Sequence, residues 1–147
     1  MHYLRIVLIF VTGMFINSAC YSGGNGIHIH NARIIETPPV TGMNAGYLEI
    51  ENSNTHPVVL TGVTSDAYDR IELHQSFMEQ GVAKMKRAEN LTIAAQSRWT
   101  FEPGGYHLML FGAARPMKSG DIVRLNLHFS DGLIINTDAA VIPLSGS

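Results

Sequence analysis

Short runs in which hydrophobic and polar residues alternate recur along most of the chain, separated by glycine, proline, asparagine and aspartate. Many runs are rich in β-branched and aromatic residues, and a two-residue alternation is typical of a strand with one buried face. The pattern predicts ten strands, at residues 27–35, 46–52, 58–63, 70–75, 82–86, 91–94, 99–101, 107–111, 122–129 and 133–136. No long window shows a 3.6-residue apolar repeat, so we expect an all-β sandwich or barrel.

The first 20 residues have a different pattern. Arg5 supplies positive charge, and the apolar run at 6–16 that follows is too short to span a bilayer stably. We therefore expect a cleavable export signal at residues 1–20, a glycine-rich flexible tether at 21–26 and one domain at 27–147.

The end of this predicted signal leaves two outcomes open. Ser18-Ala19-Cys20 resembles the last positions of a bacterial lipoprotein signal, which would attach lipid to Cys20, although Asn17 stands where leucine is favoured. Ordinary cleavage near Cys20 would instead release a soluble protein. Cys20 is the single cysteine, so in either case no disulfide can form inside the domain and stability must come from its core.

Composition and motifs exclude several classes of function. The formal charge of −2 is close to neutral and the basic residues are scattered, which argues against binding to nucleic acid or to an anionic membrane surface. The chain has no nucleophile elbow, phosphate loop or zinc-protease helix, so we do not expect an enzyme. A blue-copper electron carrier needs a thiolate that this domain lacks.

Two histidines and two methionines form a candidate metal site: His74, Met85, His107 and Met109. In segment 106–111 two leucines alternate with His107 and Met109, so a strand turns both candidate ligands to the same face. In segment 70–75 the same alternation turns Leu73 towards the predicted core and His74 to the opposite face of the strand. Met85 lies between two lysines, where a core methionine would be out of place. Thioethers bind Cu(I) well and Zn(II) poorly, so this set predicts a site for monovalent copper.

Other candidate ligands form weaker sets. His28 and His30 share a face of the first predicted strand and could bind Cu(II) or Zn(II), but two ligands are an incomplete site, and surface positions explain them better. Met43 and Met117 lie in or near turns, where they could either edge the metal site or pack against the core, and we expect packing for both.

Three segments flank the candidate ligands or lie close to them in the sequence: Asn44-Ala45-Gly46-Tyr47-Leu48, Pro103-Gly104-Gly105-Tyr106-His107-Leu108-Met109-Leu110 and Arg115-Pro116-Met117-Lys118-Ser119-Gly120-Asp121. Together with these ligands, they resemble the PCuAC family, which comprises periplasmic copper(I) chaperones. The family also has a His, Met, His, Met set at this spacing, and the resemblance covers residues 27–132. One departure concerns a second methionine that relatives often have close after the first histidine, because Met78 stands four residues after His74.

The resemblance implies a cupredoxin-like β-sandwich of Greek-key type that binds Cu(I) through His74, Met85, His107 and Met109. It also implies a periplasmic location and delivery of copper to the CuA centre of cytochrome c oxidase. The partner would be the apo copper-site domain of that oxidase or another copper assembly factor. Two alternatives remain: periplasmic copper buffering or resistance with the same site, and an Ig-like interaction module that binds no metal.

Overall fold

A computed structural model describes residues 25–144. The predicted export signal and most of the tether therefore lie outside the described residues. The ten strands are β1 (Ile27–Ile35), β2 (Met43–Asn52), β3 (Val58–Thr64), β4 (Tyr68–Glu79), β5 (Val82–Ala88), β6 (Leu91–Ile93), β7 (Ser97–Thr100), β8 (Tyr106–Ala113), β9 (Ile122–Phe129) and β10 (Ile134–Ile142). One 3-10 turn, Pro39–Thr41, precedes β2.

All ten predicted strands are confirmed, and most ends agree within three residues. The largest differences are at β4 and β10, which extend to Glu79 and Ile142. At β4 the added residues 76–79 are partly or fully exposed and form a hairpin with β5, whose residues are almost all exposed. Backbone pairing sustains these extensions, so the hydrophobic pattern underestimated their length.

The strands form one hydrogen-bonded sheet in the order β5-β4-β8-β2-β1-β10-β9-β3-β6, with β7 paired to β2. Every pair is antiparallel except β1 with β10, which is parallel. Buried residues from strands far apart in this order, such as Leu73 in β4 and Ile93 in β6, belong to one core cluster. The sheet therefore folds over one core as a β-sandwich, as expected for a cupredoxin-like fold. Among the described residues no helix could serve as a transmembrane span.

Strand β2 is shared between two neighbours on one side. Its first residues, Met43 to Gly46, pair with β8, and its last, Glu49 to Asn52, pair with β7. At the β8 end, Ala45 lies opposite Met109 and Gly46 opposite Leu108. A Cβ atom on Gly46 would lie 3.3 Å from the Cβ of Leu108, so a residue without a side chain suits the close approach.

The loop between β8 and β9 is held by Asp121. Its carboxylate accepts hydrogen bonds from Arg115 Nη1 at 2.8 Å and from the backbone N–H of Lys118 at 2.9 Å. The guanidinium bond first, and the backbone bond second, lower the pKa of Asp121 to about 2. Between these anchors Met117 is buried in the core, which confirms its predicted packing role.

This ionised anchor predicts a specific acid sensitivity. A carboxylate whose pKa is lower in the folded protein stabilises the fold above its unfolded pKa of about 3.9 and loses that contribution as pH falls. Asp121→Asn should therefore lower the free energy of unfolding near neutral pH, and the gap from the wild type should close as pH falls towards 2. Urea unfolding at several pH values measures this gap. A gap independent of pH would contradict the role assigned to the ionised carboxylate.

Candidate metal centre

The four predicted ligands lie on three adjacent strands and one face of the sheet. His74 in β4 pairs directly with His107 in β8, and Met109 follows His107 by two residues on the same face. On the other side of β4, Met85 in β5 pairs with Ser76, which is also two residues from His74. Diagonal neighbours at such positions are within reach of long side chains. The structure thus brings all four residues into one neighbourhood.

His107 is anchored by the turn that leads into its own strand. Its Nδ1 lies 3.1 Å from the carbonyl oxygen of Gly105, which also accepts the backbone N–H of Ser76 at 3.0 Å. A carbonyl can only accept, so Nδ1 of His107 carries the proton and Nε2 has a free lone pair. The side chain is buried, at 6% exposure, although it lies on the face opposite Leu108.

His74 has the opposite arrangement of ring nitrogens. Its Nε2 lies 2.9 Å from Oε2 of Glu72, whereas its Nδ1 is buried and has no hydrogen-bond partner. A buried unpartnered nitrogen is costly unless something else binds it. The rings of His74 and His107 have centroids 6.0 Å apart. Two imidazoles that bind one ion through bonds of about 2 Å have centroids roughly 5 to 6.5 Å apart, so this spacing fits a shared ion.

Glu72 is itself held by two arginines. Its Oε1 lies 2.8 Å from Nε of Arg70 and 3.3 Å from Nη1 of Arg87, and its side chain is only 13% exposed. The hydrogen bond from His74 holds the pKa of Glu72 below its ordinary value, partial desolvation opposes this, and Arg87 and Arg70 lower it further. Arg70 also lies over the ring of Phe111, with 4.4 Å between its Cζ and the ring centroid. The carboxylate is therefore ionised and fixed in place.

A cleft of about 310 Å³ opens beside these residues. Met85, His107 and Met109 line it. His74 does not line it, but its ring lies next to that of His107. Met85 is 52% exposed on the edge strand β5, as its polar neighbours predicted. The site thus has a buried imidazole side and an accessible thioether side.

Two further methionines near the site differ in position. For Met43 the preferred prediction of packing was wrong, and the alternative position at the edge of the site is the observed one. Met43 is exposed at the start of β2 and lines the same cleft, because its strand pairs with β8 at Phe111. Met78 shares the face of His74 but stands at the tip of the β4–β5 hairpin opposite Ala83, 67% exposed and away from the cleft.

His28 and His30 lie on β1, away from the cleft. Their ring centroids are 6.4 Å apart, and Nε2 of His30 lies 3.0 Å from Oε2 of Glu51, which Arg98 also binds. The interpretation of both histidines as surface residues is consistent with this ion-paired setting. Between residues 25 and 144 there is no group of three or more His, Cys, Asp or Glu side chains that could hold a metal ion.

The residue that sequence reasoning missed is Glu72. The sequence did contain an indication of its role, because Glu72 precedes His74 by two positions and therefore lies on the same face of a strand. Met43 had no comparable signal, since its place beside Met109 depends on the pairing of β2 with β8. Within the described residues, a metal held here would be bound mainly by neutral nitrogen and sulfur donors, which suits a soft monovalent ion better than Zn(II) or Mg(II).

Comparison with known proteins agrees with the fold and identifies the family. The family described as "Putative lipoprotein LpqE-like" matches residues 27–141, which is most of the chain. The chain belongs to this family. "Putative lipoprotein Lxx21020" of Leifsonia xyli subsp. xyli is 30% identical over 105 residues, which make up 71% of this chain and 61% of that protein. More than a third of that relative's length therefore has no counterpart in the match.

Solved structures resemble the whole described domain. The copper-bound PCuAC domain from PmoF2 is 23% identical and superposes with a TM-score of 0.68, covering 80% of this chain and 93% of that domain. This likeness shows the fold. The Cu(I) form of DR1885 from Deinococcus radiodurans is 30% identical with a TM-score of 0.62, covering 78% of this chain and 76% of that one. The fold is therefore that of PCuAC domains.

Proposed function

We propose that this protein binds one Cu(I) through His74, Met85, His107 and Met109 and carries it as a periplasmic copper chaperone. The observation that carries the proposal is the convergence of two imidazoles, each with one uncommitted nitrogen, and two thioethers on one face of three adjacent strands. The Cu(I) form of DR1885, similar in sequence and fold, supports copper as the cargo.

The donor set suits transport in an oxidising compartment. Thioethers form no disulfides and carry no charge, so a carrier built on them needs no reductant to keep its ligands free. Met85 is exposed on an edge strand, whereas His107 is buried. An incoming thiolate can therefore displace the accessible thioether first, while the imidazoles still hold the ion.

We further propose that the recipient is the apo copper-site domain of cytochrome c oxidase or another copper assembly factor. A CuA centre includes thiolate ligands, which bind Cu(I) more strongly than thioethers do, so transfer in that direction is downhill. The second candidate function is copper buffering or resistance, which would use the same site without a dedicated acceptor. The exposure of Met85 is compatible with direct transfer, because a ligand of the acceptor can reach the ion from that side.

Metal choice provides the first test. Purified protein should bind one equivalent of Cu(I) under reducing conditions and Zn(II) much more weakly, because thioethers contribute little to zinc binding. Titration against a coloured Cu(I) chelator, repeated with Zn(II), measures both affinities. Zinc binding as tight as copper binding would overturn the assignment, and no binding of either metal would favour the Ig-like interaction module.

Cargo transfer separates the carrier from the store. Loaded protein mixed with the apo oxidase domain in a stopped-flow instrument should transfer Cu(I) at a rate that rises with acceptor concentration, even when a strong chelator is present. A rate that stays constant with acceptor concentration, with complete interception by the chelator, would reduce the function to storage.

Membership in a family named for lipoproteins supports export and lipid attachment at Cys20. In cells the protein should fractionate with membranes, and Cys20→Ser should release it into the soluble periplasmic fraction. A wild-type protein already found in the soluble fraction would favour ordinary signal cleavage.

A further inference from the structure

The two histidines of the proposed copper site are hydrogen-bonded in opposite senses. His107 donates through Nδ1 to the carbonyl of Gly105, and His74 donates through Nε2 to the carboxylate of Glu72. Both acceptors lack a proton to give, so each ring has a defined tautomer in its neutral form. The nitrogen free to bind a metal is therefore Nε2 in His107 and Nδ1 in His74.

We propose that Glu72 is a positioning residue that fixes the tautomer and orientation of His74, so that Cu(I) is bound by Nδ1 of His74 and Nε2 of His107. This inference rests on the proposed function of the site. Its separate support is Nδ1 of His74, which is buried without any partner although the rest of the ring is anchored.

The surroundings of Glu72 make it a stable anchor. Oε2 accepts from His74, while Oε1 is bound by Arg70 and Arg87, so both oxygens are already committed. Arg70 is in turn fixed over the ring of Phe111. A carboxylate engaged in this way holds an imidazole without serving as a ligand, which keeps the donor set neutral. Histidine ligands elsewhere commonly have such a partner, and its loss costs roughly 10 to 100-fold in metal affinity.

The strand geometry explains why the two rings would bind the ion through different nitrogens, Nδ1 in His74 and Nε2 in His107. His74 and His107 are directly opposed on β4 and β8, and their rings are inclined by 38°. Glu72, two residues before His74, lies on the same face and reaches one edge of its ring. The other edge of the ring carries the unpartnered nitrogen.

The first experiment reads the tautomers directly. Long-range proton–nitrogen NMR of isotope-labelled wild-type protein should show Nε2 protonated in His74 and Nδ1 protonated in His107. Addition of Cu(I) should shift Nδ1 of His74 and Nε2 of His107 and leave the two protonated nitrogens protonated. If Cu(I) instead shifts Nε2 of His74, the inference is wrong while the proposed copper function stands. A wild-type protein that binds no Cu(I) refutes the proposed function itself.

The second experiment removes the anchor. Glu72→Ala should weaken Cu(I) binding roughly 10 to 100-fold and produce mixed tautomer signals for His74, whereas Glu72→Gln keeps an acceptor oxygen and should recover part of the affinity. The matched control is Glu51→Ala, which removes an equivalent carboxylate–imidazole pair at His30 and should leave Cu(I) affinity unchanged. Unaltered His74 signals and affinity in Glu72→Ala would overturn the assignment, and so would an equal loss in Glu51→Ala.

Discussion

Replacing Met109 by leucine should lower the Cu(I) affinity of this protein by at least about tenfold, which corresponds to about 1.4 kcal/mol. Leucine and methionine have similar volumes, so the change removes the sulfur while leaving the packing beside Ala45 nearly intact. Competition with a Cu(I) chelator measures the loss. Met85→Leu should behave in the same way, because its thioether lines the same cleft from β5.

The matched control for this prediction is Met78→Leu. Met78 lies on β4 and on the same face as His74, but it stands at the tip of the β4–β5 hairpin and away from the cleft. Its substitution should leave Cu(I) affinity unchanged. An equal loss in all three variants would mean that methionine content, rather than this site, explains copper binding.

The largest effect on stability is expected at Leu108. Leu108 stands between His107 and Met109 in the sequence, but its side chain lies on the opposite face of β8 and is fully buried in the core. Its neighbours across the sheet are Gly46 in β2 and Leu73 in β4. Leu108→Ala removes buried apolar volume and leaves a cavity, which costs about 2–5 kcal/mol in comparable cores. Chemical unfolding of the metal-free protein measures this loss in the free energy of unfolding.

An exposed strand position provides the comparison. Ile134 begins β10 and is 54% exposed, so Ile134→Ala should change the free energy of unfolding by less than about 1 kcal/mol. Similar losses at both positions would contradict the assignment of Leu108 to the core. Because Leu108 lies between two proposed ligands, we also expect Leu108→Ala to weaken Cu(I) binding.

In the proposed carrier, the fixed imidazole pair and the two thioethers that line the cleft would have different roles. The histidines are held by Gly105 and Glu72, so they present their free nitrogens without rearrangement. Met85 stands on the edge strand β5, and its side chain is about half exposed. The buried side would then supply affinity, and the exposed side a point of entry for the acceptor's ligands.

Local sequence patterns were sufficient for the strands and for the face that each candidate ligand occupies. Alternation in segment 106–111 separated His107 and Met109 from the two leucines, and both leucines are buried. The same alternation placed His74 opposite Leu73. This worked because side-chain direction in a strand has a period of two residues and depends only on position along that strand.

Spacing along the chain could not give the neighbours of each strand. Packing was preferred for Met43 because it lies near a turn, and nothing in its own segment indicates that β2 lies beside β8. The parallel pairing of β1 with β10, between residues more than a hundred positions apart, is equally invisible in local patterns. Strand pairing depends on how all the apolar faces close over one core, which is a property of the whole chain.

Residue type and alternation along the chain were enough to predict the all-β class, the strand positions and a set of thioether and imidazole donors, each on the face of its strand away from the core. The folded structure was needed to see that His74 and His107 are directly opposed, that Met43 lines the cleft and that Glu72 binds Nε2 of His74. The physical reason is that residue type and alternation act within a few positions of the chain. Distances, burial and hydrogen-bond partners arise from contacts between strands that the folded core brings together.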